Sequence, residues 1–240
     1  MFKRTVLCIS RTEAVRYAAQ NLAELGICVT QKAAPDVTHL LLPVPSFPTG
    51  DEYLAHYLAE LPDDVIITGG NLQSPLLEHY CCVDFLQDSW YLAQNAAITA
   101  QCAVQLLEER LPSLAGKAIL ILGWGRIGKC LGSLLRSKGA NVTISARKIT
   151  DLAMIRALGC HAIPTDQVRD VTMHYDAILN TIPELVLPGL AANSDCVCIE
   201  LASKPGMTGS NILSARGLPG KMAPEQSGKL IAETFIRLAL

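Results

Sequence analysis

A chain of 240 residues that is half apolar has enough material for one large or two modest packed domains. Its formal net charge of −2, with lysine and arginine evenly scattered, excludes the basic stripe that a nucleic-acid partner would need. The opening apolar run stops at Ser10 and Arg11, too early for a signal peptide or a membrane span, so the expected location is the cytoplasm.

In chain order, the first half reads as short apolar strands separated by amphipathic helices. Strands are predicted over residues 5–9, 39–42 and 65–68, with a helix over 13–25. Alternation of this kind implies a parallel sheet. Turn residues follow the strands, Pro43, Pro45, Pro48 and Gly50 after one and Gly69, Gly70 and Asn71 after the next, at the carboxyl ends where open α/β sheets bind ligands. An uninterrupted helix-forming stretch over 90–111 is stopped by Pro112 and reads as a connecting helix. Pro224 then suits the first turn of a terminal helix. The expected domains are residues 1–88 and residues 89–240.

Nine cysteines, an odd number, lie scattered through apolar segments. Cys81 and Cys82 are adjacent, and Cys196 and Cys198 share one face of a strand; neither pair has the CxxC spacing of a metal knuckle. Buried, reduced thiols and no metal site are the reading.

The strongest signal is AILILGWGRIGKCLGSLLRSKGANVTISAR: strand, glycine turn, helix, second strand. Gly123, Gly125 and Gly128 form a GxGxxG turn, with Trp124, Arg126 and Ile127 between them. The first glycine permits the tight turn, the second lets the backbone approach a pyrophosphate, and the third lets helix and strand pack closely. This predicts a Rossmann-type dinucleotide site. The second strand, over 141–145, lacks the closing acid that would hold the ribose hydroxyls of NAD. Ser145, Arg147 and Lys148 stand there instead, and a hydroxyl with two cations suits a 2′-phosphate, so NADP is expected and NAD is the alternative.

Two later strands, over 177–180 and 197–201, end in polar turns that should face the nicotinamide half: Asn180, Thr181, Ile182 and Pro183, then Ala202, Ser203, Lys204, Pro205 and Gly206. No histidine has a carboxylate placed to orient it as a general base, and all five are read as surface or structural.

In order and spacing, GWGRIG, SAR, LNTIP, ELASKPG and GLPGKMAPEQSG resemble the pattern of the A subunit of dipicolinate synthase, an enzyme of spore-forming bacteria, and the chain is read as a shortened or divergent member. The resemblance implies a Rossmann-type parallel-sheet NAD(P)-binding domain with a smaller, flavodoxin-like α/β amino-terminal domain. It also implies oxidation of a dihydrodipicolinate-type ring with hydride passing to NADP. Aromatisation supplies much of the driving force, so alignment matters more than a strong base.

A dicarboxylate substrate requires a fixed cation: Lys204 is the first choice and Lys221 the second, with Ser203 and Asn180 assisting. Asn95 and Thr99, one helical turn apart, present an amide and a hydroxyl on one face of the connecting helix. The expected protein partners are a second, flavoprotein-like subunit of the synthase and further copies of the chain in a homo-oligomer. Two alternatives stand beside this reading: another NADP-dependent oxidoreductase acting on a small cyclic or 2-hydroxy acid, and a chain that binds NADP(H) without catalysis, as a sensor or partner subunit.

Overall fold

The computed structural model describes residues 4–47, 50–190 and 195–240, with backbone alone at 170 and 171; Pro48 and the first three residues lie outside it. The chain divides into two compact units. The first contains β1 (Thr5–Cys8), α1 (Glu13–Glu24), β2 (Cys28–Thr30), β3 (His39–Leu41), α2 (Leu54–Leu58), β4 (Ile66–Gly69) and β5 (Cys81–Asp84). Every pairing is parallel and the order is β2-β1-β3-β4-β5, the flavodoxin-like arrangement.

Local chemistry explains the first crossover. Thr12 caps α1 by accepting a hydrogen bond from the Val15 N–H (3.3 Å), and Glu13 places negative charge in the first turn. Ala14, Val15, Ala18 and Leu22 recur at helical spacing and are buried. In a separate core with Leu54 of α2, the strand residues Leu7, Leu40 and Ile67 are fully buried. Each such side chain stabilises the fold by roughly 1.5–3 kcal/mol of removed apolar surface.

The helix α3 (Ser89–Glu108) starts in the first unit and carries the chain into the second, whose span is Ala96–Leu218. Then come β6 (Ala118–Leu122), α4 (Arg126–Ser137), β7 (Asn141–Ala146), α5 (Ile149–Ala157), β8 (His161–Pro164), β9 (Ala177–Asn180), β10 (Leu187–Leu190), β11 (Val197–Glu200), β12 (Met207–Gly209), β13 (Ile212–Ser214) and α6 (Leu218–Met222). Six strands form one sheet in the order β13-β11-β9-β6-β7-β8, again all parallel. Taken by order within this unit it is the 3-2-1-4-5-6 sheet of the Rossmann fold.

Strands β10 and β12 pair separately. At the amino end of the main sheet, Asp176 accepts hydrogen bonds from Lys117 Nζ (2.9 Å) and the Ala118 N–H (2.8 Å), which together hold its carboxyl below the usual carboxylate range. At the carboxyl end the register sets Leu122 beside Ser145 and Asn180, and Asn180 beside Glu200. Four strand ends therefore finish level at the place where such a sheet takes its ligand.

The last helix, α7 (Pro224–Ala239), returns to the first unit and packs on α1. Gly228 makes this possible, because a methyl group there would collide with Tyr17 Cβ, the Ala14 carbonyl and the Ala18 amide. His39 ties the end of α7 down: its Nε2 lies 2.9 Å from the Ala239 carbonyl oxygen, and its ring meets Phe235 edge-on. The compact units thus differ from the sequence expectation of 1–88 and 89–240. The first runs to Asn95 and also takes residues 219–240, because the apolar face of α7 is covered by α1.

Candidate functional site

The turn after β6 has the three glycines in three distinct environments. Gly123 has φ +101°, in the region that favours glycine, and a methyl group there would stand 2.7 Å from Thr181 Oγ1. Gly128 is pressed against the Gly123 carbonyl, so even alanine has no room. Gly125 is the opposite case, with nothing within 4 Å of where a Cβ would be. It also caps α4 without any side-chain hydrogen bond, and no acid stands in the first turn. The open face at the second glycine and the uncapped helix start form a cradle that fits a pyrophosphate.

Other strand ends support this cradle from below. Thr181 Oγ1 donates to the Leu122 carbonyl (2.7 Å), and Ser145 Oγ accepts from the Gly123 N–H (3.2 Å). Ser145 is fully buried and its hydroxyl is engaged with the turn. This corrects its expected place beside a 2′-phosphate: it braces the glycine turn, and only Arg147 and Lys148 of that set are exposed.

Asn180 is likewise fully buried. Its amide nitrogen donates to Glu200 Oε1 (2.8 Å) and to the Ile182 carbonyl (2.9 Å), and its oxygen accepts from the Ile182 N–H (3.1 Å). The expectation that it reaches the nicotinamide or the substrate gives way to a bracing role, since both ends of the amide are committed within the protein.

Glu200, absent from the sequence reading, is the hub of this layer. Only 3% exposed, its carboxylate accepts from Asn180, from the Ala202 N–H (2.9 Å), from the Gly206 N–H (2.8 Å) and from the Met207 N–H (3.1 Å). Donors on every side make a buried negative charge tolerable. They also tie the loop after β9 to the loop after β11. Gly206 completes the joint, accepting through its carbonyl from the Val186 and Leu187 amides (2.8 and 3.0 Å). The sequence signal was a single acid at the end of an otherwise apolar strand.

Gly123, Trp124, Gly125, Arg147, Lys148, Thr181, Ile182 and Pro183 all line one cleft of about 260 Å³. Of the remaining cofactor candidates, Arg126 is exposed and Ile127 half-buried in the first turn of α4. An adjoining groove of about 570 Å³ shares Arg147 and is walled by Ile149, Leu152, Leu185 and Val186. Ile149 and Leu185 are 74% and 59% exposed, large apolar groups left uncovered at a groove, which suits a flat heteroaromatic ring such as adenine.

The catalytic candidates fall on other elements. Ser203 and Lys204 are exposed on the loop that Glu200 pins, and Lys221 is exposed in α6. Thr99 is buried and Asn95 half-buried, one turn apart on α3. None of these five lines the cleft or the groove. Cys81 and Cys82 are exposed on β5, contrary to the expectation of burial, while Cys196 and Cys198 are buried on one face with sulfurs 4.0 Å apart. Among the described residues no cluster of three metal-ligating side chains occurs, and no helix is long and apolar enough to cross a membrane.

No family model matches the chain. Among curated proteins it is 31% identical to the A subunit of dipicolinate synthase from Bacillus subtilis over 137 residues, 52% of this chain and 46% of that protein. The chain thus spans about half the length of the curated relative it matches. The crystal structure of the dipicolinate synthase A subunit from Bacillus halodurans superposes with a TM-score of 0.83 at 20% identity, covering 98% of this chain and 97% of that one. A transhydrogenase from Sinorhizobium meliloti (TM-score 0.68, 12% identity, 91% and 78% covered) and an L-alanine dehydrogenase (0.66, 14%, 91% and 75%) share the fold more distantly. The resemblance drawn from GWGRIG, LNTIP and ELASKPG therefore stands: by sequence over half its length and by fold over nearly all of it, the chain is similar to the dipicolinate synthase A subunit, with a Rossmann-type architecture.

Proposed function

We propose that the chain is an NADP-dependent oxidoreductase of the dipicolinate synthase kind, equivalent to the A subunit of that enzyme and oxidising a dihydrodipicolinate-type ring to dipicolinate. The observation that carries this is the open glycine cradle: Gly125 with free space beside it and an uncapped α4, braced by Ser145 and Thr181. The amides at the start of α4 hold the pyrophosphate. Arg147 and Lys148 meet the 2′-phosphate, and the Ile149 and Leu185 walls take the adenine. The nicotinamide, when bound, supplies the hydride acceptor.

The protein's own part is then chiefly placement. Glu200 fixes the loops after β9 and β11, which sets where Ser203 and Lys204 stand. Lys204 is the cation for a substrate carboxylate, with Ser203, Thr99 and Asn95 as the polar groups that orient the ring. The relative is named as one lettered subunit of its synthase, which implies a companion, and a second synthase subunit is the partner this reading calls for; self-association is proposed alongside it.

The test is a fluorescence titration of the purified chain with NADPH and NADH, repeated with Arg147→Ala, followed by assay of dipicolinate formation with NADP and the dihydro compound. NADPH preference lost in Arg147→Ala, with dipicolinate formed, supports the reading. Nucleotide binding without turnover, even with the companion subunit present, leaves the non-catalytic alternative. Oxidation of 2-hydroxy acids in place of the dihydro compound overturns the substrate assignment.

A further inference from the structure

Building on the nucleotide reading above, we infer that Glu184 is a specificity-determining residue: its carboxylate holds the place beside Arg147 that a ribose 2′-phosphate would take, and so restrains the preference for NADPH over NADH. Glu184 Oε2 stands 3.5 Å from Arg147 Nη1, and both residues line the same groove. Their side chains are 68% and 77% exposed, so the pair is loosely held and an incoming dianion can exchange for the carboxylate. The sequence rule looks for the ribose acid at the end of β7; this one arrives from the loop after β9.

The charge around the 2′ position is mixed. Arg147 and Lys148 contribute cations, while Glu184 and Asp166 line the groove and Asp151 lines the adjoining cleft. Of these three carboxylates, only Glu184 is in ion-pair contact with Arg147 among the described residues. Its backbone is held in place. Asn180 bonds Ile182 at both N–H and C=O, and the Val186 N–H donates to the Gly206 carbonyl at 2.8 Å, so the loop is fastened on either side of Glu184. A 2′-phosphate, carrying about −1.5 to −2 near neutral pH, must meet Arg147 with this carboxylate as a neighbour. The two hydroxyls of an unphosphorylated ribose meet no such repulsion.

Removing the charge should therefore help one nucleotide and not the other. In a wet groove, one unit charge a few ångströms away is worth about fivefold in affinity. The experiment is fluorescence titration of the full chain, Glu184→Gln, and the double variant Glu184→Gln with Arg147→Ala, each with NADPH and NADH at one fixed ionic strength. The expected result is NADPH bound about fivefold more tightly by Glu184→Gln. NADH should stay within about twofold, and the NADPH gain should vanish in the double variant. Unchanged NADPH affinity overturns the proposal. Weakened NADH binding also overturns it, because the carboxylate would then be an acceptor for ribose hydroxyls. A gain that persists without Arg147 overturns it too, reducing the effect to overall charge. Failure of the unsubstituted chain to bind either nucleotide is a separate result, and it removes the nucleotide reading itself.

Discussion

The molecule contains two junctions of nearly the same design, β1 into α1 and β6 into α4, each a buried parallel strand leading to a 12-residue helix. At the first, Thr12 caps the helix with its own hydroxyl and Glu13 supplies negative charge. At the second, Gly125 caps with backbone alone, no acid follows, and open space lies beside it. One helix start is satisfied from within the chain, whereas the other lacks a side-chain cap and is available to an anion. Architecture makes both positions possible sites, and a few turn residues decide which one is left open.

The sharpest way to break this contrast is to close the open junction. Gly128→Ala sets a methyl against the Gly123 carbonyl. Overpacking of that size costs up to about 3 kcal/mol of stability, so the melting transition should fall, and the displaced turn should weaken NADPH binding in a fluorescence titration. Next comes the layer under the open turn. Glu200→Gln replaces an acceptor by a donor facing backbone N–H groups, and should lower stability by about 2–3 kcal/mol in chemical denaturation. An unchanged midpoint would mean that Glu200 does not brace these loops.

The closed junction should respond differently. Thr12→Ala removes a cap worth about 1 kcal/mol, and nucleotide affinity should not move. A change in affinity there would erase the distinction between the two junctions. The smallest effect concerns pH and is confined to the first unit. Burial, assisted by Arg4, pushes the His39 imidazole below its ordinary 6.5, against the opposing hydrogen bond that its ring donates to the Ala239 carbonyl. The unfolded chain therefore takes up a proton that the folded chain refuses, so stability is full above about pH 6.5 and declines as pH falls from there toward the folded value. Denaturation midpoints measured across roughly pH 7 to 5 should decline less steeply in His39→Gln.

What the sequence disclosed follows from where the strong patterns lie. The buried central strands were legible as apolar runs: β6 is the AILIL run ahead of the glycine turn, β9 begins and ends where expected, and β1, β3, β7 and β11 do so within a residue. The edge strands β2, β5, β8 and β13 were missed because three or four residues, none of them fully buried, carry no such run. The glycine turn was legible because Gly123 and Gly128 meet separate backbone requirements, a positive φ and a close approach.

Ser145 was misplaced for a geometric reason. Alternation would give it and Arg147 one face, but β7 stops at Ala146, so the hydroxyl points into the turn while the guanidinium leaves the sheet. Asn180 and Glu200 could not be paired from spacing, since their contact depends on the β9–β11 register. The seat of α7 was hidden similarly: an amphipathic face predicts burial without naming its cover, and His39 finds its partner 200 residues away.

That seat has a consequence for how the polypeptide is made. The segment 96–218 interrupts the first unit, whose closing helix is translated only afterwards. On the ribosome the glycine-turn unit is therefore complete while β1 through β5 still wait, with the outer surface of α1 bare, for residues 224–239 to emerge. The part synthesised first is finished last, and in that interval Ala14 and Ala18 depend on whatever shields nascent apolar surface.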